Sequence, residues 1–289
     1  MSEGLSYANQ LAISRTLTRI ENDRSVAREI IGSLEERDYH VVGITGSPGA
    51  GKSTLTDRLA LLSSKEKRTA IIAIDPSSPF TGGAFLGDRI RMKRSTKSEE
   101  IFVRSMASRG KVGGLSPSIY DAVEFLGRSG FDRIFVETVG AGQSETDIEN
   151  LADVVLLVLA PGMGDDVQTM KAGIMEIGDI FAVNKMDLPG ASQLAAKTEA
   201  ILEMSGRKLP IVLTNSINGQ GVEELHSLIE KALEELDSSG AIEEKRRRRT
   251  LYNNLNSVYQ IIMEDFSENA KLEELMNYLL ENRRLSDES

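Results

Sequence analysis

The segment Gly46-Ser-Pro-Gly-Ala-Gly51-Lys52-Ser53 constrains this chain more than any other feature. Its glycine spacing and Lys-Ser end match a phosphate-binding loop, in which successive backbone N–H groups and a helix start surround a phosphate. Side chains larger than glycine would obstruct that wrap. An apolar, β-branched run at 41–45 precedes the loop, and a helical pattern at 53–62 follows it. Gly46, Ser47, Pro48, Gly49, Ala50, Gly51 and Thr54 are therefore nucleotide-binding candidates. Lys52 supplies a point charge to the β- and γ-phosphates, and the Ser53 hydroxyl is placed to ligate Mg²⁺.

Strand-length apolar runs recur at 69–74, 101–103, 133–136, 154–159, 180–183 and 211–213, with amphipathic stretches at 119–126, 191–204 and 222–236 between most of them. That alternation predicts an α/β fold with a doubly wound, mostly parallel sheet. The expected organisation is a helical extension over 1–40, a nucleotide-binding domain over 41–240 and a helical arm over 241–289. The arm follows the Asp237-Ser-Ser-Gly240 break. It carries Leu251, Leu255, Val258, Tyr259, Ile262 and Phe266 at helical spacing, a stripe that must be buried either on its own domain or on a second subunit. The four arginines from Arg246 to Arg249 could suggest a nuclear or RNA-binding signal, but beside Glu243 and Glu244 they read more simply as a solvated helix turn.

Composition removes several classes. The chain has 289 residues, no Cys, two His and a net charge of −10. Without Cys there is no disulfide framework, thiolate zinc site, iron–sulfur cluster or cysteine nucleophile, and metal chemistry falls to oxygen ligands. The acidic balance argues against a general nucleic-acid binder. No apolar run reaches the length of a membrane span and the N-terminus lacks a signal peptide's pattern, so the expectation is a cytoplasmic protein. One local exception is basic: Arg89 to Lys111 carries eight Lys or Arg and two acids, which reads equally as a solvated face or as a phosphate- or partner-facing surface.

The base and the metal are read from later segments. Asn184-Lys185-Met186-Asp187 directly follows the run at 180–183, where loops at strand ends line a ligand crevice. An Asp carboxylate there accepts two N–H bonds from guanine, and adenine has no matching donors. With Asn215, Ser216 and Ile217 after the next run, this favours GTP over ATP. The run at 133–136 leads into Glu137-Thr-Val-Gly140. A carboxylate at that strand end can hold the metal through water, and the Gly140 N–H can meet the γ-phosphate. Asp75 and Asp88 are further metal candidates, with a structural cap as the alternative for each.

Together with Asp75-Pro-Ser-Ser, Gly82-Gly83, Leu86-Gly-Asp-Arg89, Arg91-Met92, Val103-Arg-Ser-Met106, Arg109-Gly110, Gly113-Gly114 and Glu137-Thr-Val-Gly-Ala-Gly-Gln-Ser-Glu145, these segments resemble the methylmalonyl-CoA mutase-associated GTPases, a Glu-x-x-Gly branch of the metallochaperone GTPases. The resemblance covers about residues 41–236. It implies a cytoplasmic homodimer, held by the C-terminal arm, that hydrolyses GTP slowly with Mg²⁺. Its implied partner is an adenosylcobalamin-dependent acyl-CoA mutase, whose cofactor loading it gates and which it protects. By the same resemblance Asp75, Asp88 and Glu137 surround Mg²⁺, and Asp187 reads guanine. The residues carrying hydrolysis are then Lys52, Asp88, Glu137, Gly140 and Lys171. Residues 161–171 resemble a third switch, with Asp165 and Lys171 at its matching positions.

Two departures stand out. Thr214-Asn215-Ser216 replaces the family's usual Thr-Ser-Ala, and Ala141 takes the place of the water-positioning Gln that follows Asp-x-x-Gly in common GTPases. Two other readings are weighed. A nickel-insertion GTPase needs His- or Cys-rich segments, and this chain has only His40 and His226. A transport-linked kinase for lysine, arginine or ornithine uptake, a label family members often carry, needs a phosphoacceptor site for which no residue speaks.

Overall fold

The apolar runs pair into one seven-stranded sheet in the computed structural model, which describes residues 7–75, 92, 95, 100–107, 115–138, 144–162 and 174–268. The strands are β1 His40–Gly46, β2 Thr69–Asp75, β3 Ile101–Ala107, β4 Arg133–Glu137, β5 Val154–Leu159, β6 Ile180–Val183 and β7 Ile211–Leu213. They lie in the order β3-β2-β4-β1-β5-β6-β7. Every pairing between them is parallel. After β1 the chain lays β2 and β3 on one side, returns to insert β4 between β2 and β1, and then builds β5, β6 and β7 outward on the other side. The carboxyl ends of β1, β4 and β5 therefore meet at a reversal of winding direction, where open α/β sheets place ligands.

Parallel strands buried on both faces need apolar residues at consecutive positions, which is why the runs were continuous rather than alternating. Val41, Ile72, Ile134 and Val155 point to one face and pack under helices α1 (Tyr7–Asn22), α2 (Arg24–Gly32), α4 (Pro117–Arg128) and α5 (Ser144–Leu151). Val42, Ile44, Ile71, Phe135 and Leu156 point to the other, under α3 (Lys52–Ser63) and α8 (Val222–Ser239). The short α6 (Ile174–Ile177) and α7 (Ala191–Met204) complete the first face over β5 and β6. Helix α5 sits unusually close to β1. A Cβ at Gly43 would lie 2.5 Å from Ile148 Cγ1 and 2.9 Å from Ala152 Cβ, so only glycine admits this approach.

Strand β3 extends beyond the apolar run at 101–103, its register with β2 continuing to Asp75 opposite Ala107. Polar residues are tolerated there because β3 is an edge strand covered by α1. Arg104 donates to the Ser14 carbonyl at 3.2 Å and pairs with Glu21 at 2.9 Å. Within the basic segment, then, Arg104 fastens the N-terminal helix.

The arm is helix α9 (Ala241–Glu268), which follows α8 across Gly240. The arginine run is not a solvated turn throughout: Arg247 is exposed, and the other three are held by the domain. Arg246 pairs with Asp38 at 2.7 Å, and Arg248 pairs with Glu149 at 3.0 Å and donates to Asn150 Oδ1 at 3.0 Å. Arg249 is buried, donates to the Leu151 carbonyl at 2.6 Å and pairs with the buried Asp153. Asp153 also accepts the Val41 N–H at 2.7 Å. One turn on, Asn253 donates to Asp121 of α4 at 2.8 Å. The polar side of α9 thus docks on its own domain, while Leu251, Leu255, Val258 and Tyr259 are each more than half exposed. Among the described residues, no helix is long and apolar enough to cross a membrane.

Candidate functional site: a phosphate loop joined to a base loop

The loop leaves β1 at Gly46, whose Cβ, if present, would lie 2.1 Å from the Val158 carbonyl oxygen of the neighbouring strand. It enters α3 at Gly51, with φ +93°, a left-handed conformation that favours glycine. Pro48 and Gly49 lie exposed at the rim, and Ser47, Ala50 and Lys52 are buried. The Lys52 ammonium folds back across the loop and donates to the carbonyls of Gly46 at 2.7 Å and Ser47 at 3.1 Å. A single charge is thereby held over the concave side of the loop.

Glu137 ends β4 beside β1. Its carboxylate accepts the Ser53 hydroxyl at 2.6 Å, so two residues far apart in sequence form one oxygen pair next to the loop. Hard oxygen donors of this kind suit Mg²⁺, which keeps several waters and needs few protein ligands. Asp75 ends β2, so its backbone stands at the same end of the sheet. Asp88, Gly140, Asp165 and Lys171 lie outside the described residues.

On the other flank, Asn184 follows β6 and is fully buried. Its amide donates to the Ala50 carbonyl at 2.8 Å and to Ser216 Oγ at 3.1 Å. Its oxygen accepts from Thr214 Oγ1 at 3.2 Å and from the Ser216 N–H at 3.0 Å. This one side chain ties the phosphate loop to the loop after β7. Lys185 follows in a left-handed conformation, φ 57°, which turns the chain so that the exposed Asp187 stands beside Asn215. The Asn215 amide donates to Asp187 Oδ1 at 2.7 Å. The departure at position 215 therefore places a donor against the carboxylate read as the guanine acceptor. The Ile217 and Asn218 N–H groups are bonded to Asn215 Oδ1 at 3.0 and 3.2 Å. A guanine O6 contact to this loop would share an N–H already in use.

One residue escaped the sequence reading. Arg58, on the outer part of α3, donates from Nε to the Ser216 carbonyl and from Nη2 to the Ile217 carbonyl. No local pattern marks it, since its partners lie 158 and 159 residues away.

The sheet, the loop and the Asn184 linkage define a phosphate-loop nucleotide-binding protein of the α/β class. Comparison with known proteins narrows this. The chain belongs to the family described as methylmalonyl Co-A mutase-associated GTPase MeaB, whose model matches residues 13–272. A protein of Pyrococcus horikoshii named as a GTPase is 48% identical over 257 residues, covering 86% of this chain and 81% of its own. A Caenorhabditis briggsae protein named methylmalonic aciduria type A homolog, mitochondrial, is 34% identical over 249 residues, covering 82% of this chain and 60% of its own. Among solved structures, one titled as the LAO/AO transport system kinase superposes with a TM-score of 0.64 at 20% identity, over 96% of this chain and 93% of that one, and speaks for the fold alone. The protein is accordingly a GTPase that binds guanine nucleotides.

Proposed function

We propose that this GTPase is a Mg²⁺-dependent, nucleotide-switched chaperone for an adenosylcobalamin-dependent acyl-CoA mutase of the methylmalonyl-CoA type, gating cofactor loading and protecting the enzyme. The observation that carries the reading is the family match, which spans almost the whole chain and bears the mutase association in its description. The name of the Caenorhabditis relative points the same way.

In this reading the loop from Gly46 to Thr54 holds the α- and β-phosphates on backbone N–H groups. Lys52 exchanges its two carbonyl partners for phosphate oxygens, which its flexible stem permits. Ser53 and Glu137 hold the metal, with Asp75 and Asp88 completing its surroundings. Bound Mg²⁺ would neutralise charge developing on the β- and γ-phosphates. Asp187 accepts guanine N1 and N2 while Asn215 fixes its carboxylate. Gly140 senses the γ-phosphate, and Asp165 and Lys171 report the nucleotide state to the mutase. Ala141 offers no polar side chain to orient water, so intrinsic turnover is slow until a partner orders the switches.

The arm gives the homodimer. Leu251, Leu255, Val258 and Tyr259 stay exposed on a helix whose polar side is already docked, and a second copy supplies the matching apolar face. The proposed compartment is the cytoplasm.

The test is capture of purified methylmalonyl-CoA mutase by the immobilised protein loaded with a non-hydrolysable GTP analogue or with GDP, with GTP turnover followed in parallel. Capture that depends on the nucleotide, together with faster turnover, is the expected result. Equal recovery with both nucleotides and no change in turnover would sink the mutase assignment.

A further inference from the structure

We propose that Arg58 is a positioning residue for guanine recognition, holding the base loop in place from the helix that begins at the phosphate loop. The proposal rests on the guanine-side reading of Asp187 and residues 214–217.

Two donors of one planar guanidinium meet two consecutive carbonyls, those of Ser216 and Ile217. A rigid fork on adjacent peptides fixes the orientation of both planes, which a single contact cannot do. The loop is shaped around this group. Gly219 has φ +93°, and a Cβ there would lie 2.6 Å from Arg58 Nη1, so the turn closes over the guanidinium because position 219 has no side chain.

Asn184 holds the same loop from the opposite side, through the N–H and hydroxyl of Ser216, and is itself bonded to Ala50. The base loop is therefore clamped twice. One clamp leads to the phosphate loop, and the other leads to α3, whose first residue is Lys52. Between them they set the distance from phosphate to base. Asn215, which carries the bond to Asp187, is the residue immediately before the clamped carbonyls, so a loop that swings takes the Asp187 carboxylate's partner with it. Ile217, 77% exposed, is held outward by the same fork.

The two described bonds of Arg58 both run to the base loop. Removing it relaxes the base loop and leaves phosphoryl transfer intact. That separates its role from those of Lys52 and Ser53. It also separates it from a purely structural role, which would lower stability without regard to the base.

The experiment compares wild type, Arg58→Ala, Arg58→Lys and Asp187→Ala in GTP and ATP turnover, in release of a fluorescent GDP analogue and in nucleotide-free thermal melting. Arg58→Gln replaces the alanine variant if that one does not fold. For Arg58→Ala we expect KM for GTP to rise by about 30-fold, equivalent to about 2 kcal/mol. GDP release should quicken by a similar factor, with kcat within about twofold of wild type, the pattern of lost ground-state binding. Arg58→Lys should fall between, since an ammonium keeps the charge and loses the fork. Melting should be unchanged.

Unchanged KM and GDP release in Arg58→Ala overturn the proposal. So does a parallel fall of melting temperature, kcat and affinity for both nucleotides, which would make Arg58 a packing residue. If Asp187→Ala erases the GTP preference while Arg58→Ala does not, the proposal fails and the guanine reading stands. If wild type itself shows no preference for GTP over ATP, both fall.

Discussion

Replacing Arg249 with Met is the sharpest probe of how the C-terminal helix is held. Arg249 and Asp153 are 6% and 1% exposed, and their pairing joins α9 to the residue just before β5. Methionine keeps the length and apolar stem of the side chain, so the change isolates the guanidinium. It removes the ion pair and the bond to the Leu151 carbonyl, and it strands the Asp153 carboxylate, which retains only the Val41 N–H among these contacts. Breaking one side of a buried pair costs about 3–5 kcal/mol, because the remaining charge stays desolvated. That is a large part of a typical total near 5–15 kcal/mol. The companion change Asp153→Asn removes the stranded charge and keeps an oxygen for Val41. The double variant should recover about 2 kcal/mol of the loss, the portion due to an uncompensated buried charge. Urea unfolding followed by circular dichroism measures all three variants, with the slope checked for constancy. A loss below about 1 kcal/mol in Arg249→Met, the range of an exposed pair, would refute the reasoning. So would a double variant no better than the single one.

Three further outcomes follow from the same geometry. Gly43→Ala should destabilise the protein by about 1–3 kcal/mol through overpacking against Ile148 and Ala152, read as a lower urea midpoint; an unchanged midpoint would mean α5 is not seated as described. Burial holds the His226 imidazole below its ordinary value, with Glu230 opposing that shift and Arg133 adding to it. The folded protein therefore resists the proton that the unfolded chain accepts, so stability is full above the ordinary value of 6.5 and falls as pH drops from there towards the lowered folded value. His226→Gln should flatten that slope in denaturation measured between pH 7.5 and 5, and an identical slope in the variant would remove His226 as its source. If the proposed homodimer forms through the arm, placing Asp at both Leu255 and Val258 should leave a monomer in analytical ultracentrifugation without altering GTP KM; a dimer that persists in the variant would place the interface elsewhere.

Which parts of the molecule could be read in advance follows from the kind of constraint each obeys. The seven strands were legible because a parallel sheet covered on both faces demands unbroken apolar runs, and each run mapped onto a strand within a few residues. β3 outgrew its run the most, by four residues where β1, β2 and β4 gained one or two, because a polar residue on an edge strand can be paired, as Arg104 is with Glu21. The phosphate loop was legible because backbone geometry dictates where glycine must stand, and Gly46 and Gly51 stand against Val158 and Asn184 with no room for a Cβ. Asn184 was found as part of a base motif, yet its bond to Ala50 was not foreseeable, since it spans 134 residues. Arg58 was invisible for the same reason. A charged residue on an amphipathic helix has the same local signature whether its far end meets water or a carbonyl.

The arginine run shows how helix geometry divides what a sequence presents as a unit. Successive residues turn by about 100° around the axis, so positions three apart share a side and positions two apart lie nearly opposite. Arg246 and Arg249 are three apart, and both reach into the domain, to Asp38 and Asp153. Arg247 lies across the helix from Arg249, is 80% exposed along its side chain and pairs with Glu244 on its own helix. Four consecutive arginines cover more than a full half-circle. Once an apolar or polar contact elsewhere docks the helix, at least one of them must face the domain. Its desolvation is then tolerable only where an acid waits, and Asp153 is already fixed there by its bond to Val41. The solvated reading holds for Arg247 and fails for Arg249 because it treated charge as a property of the segment, whereas burial is decided residue by residue around the helix.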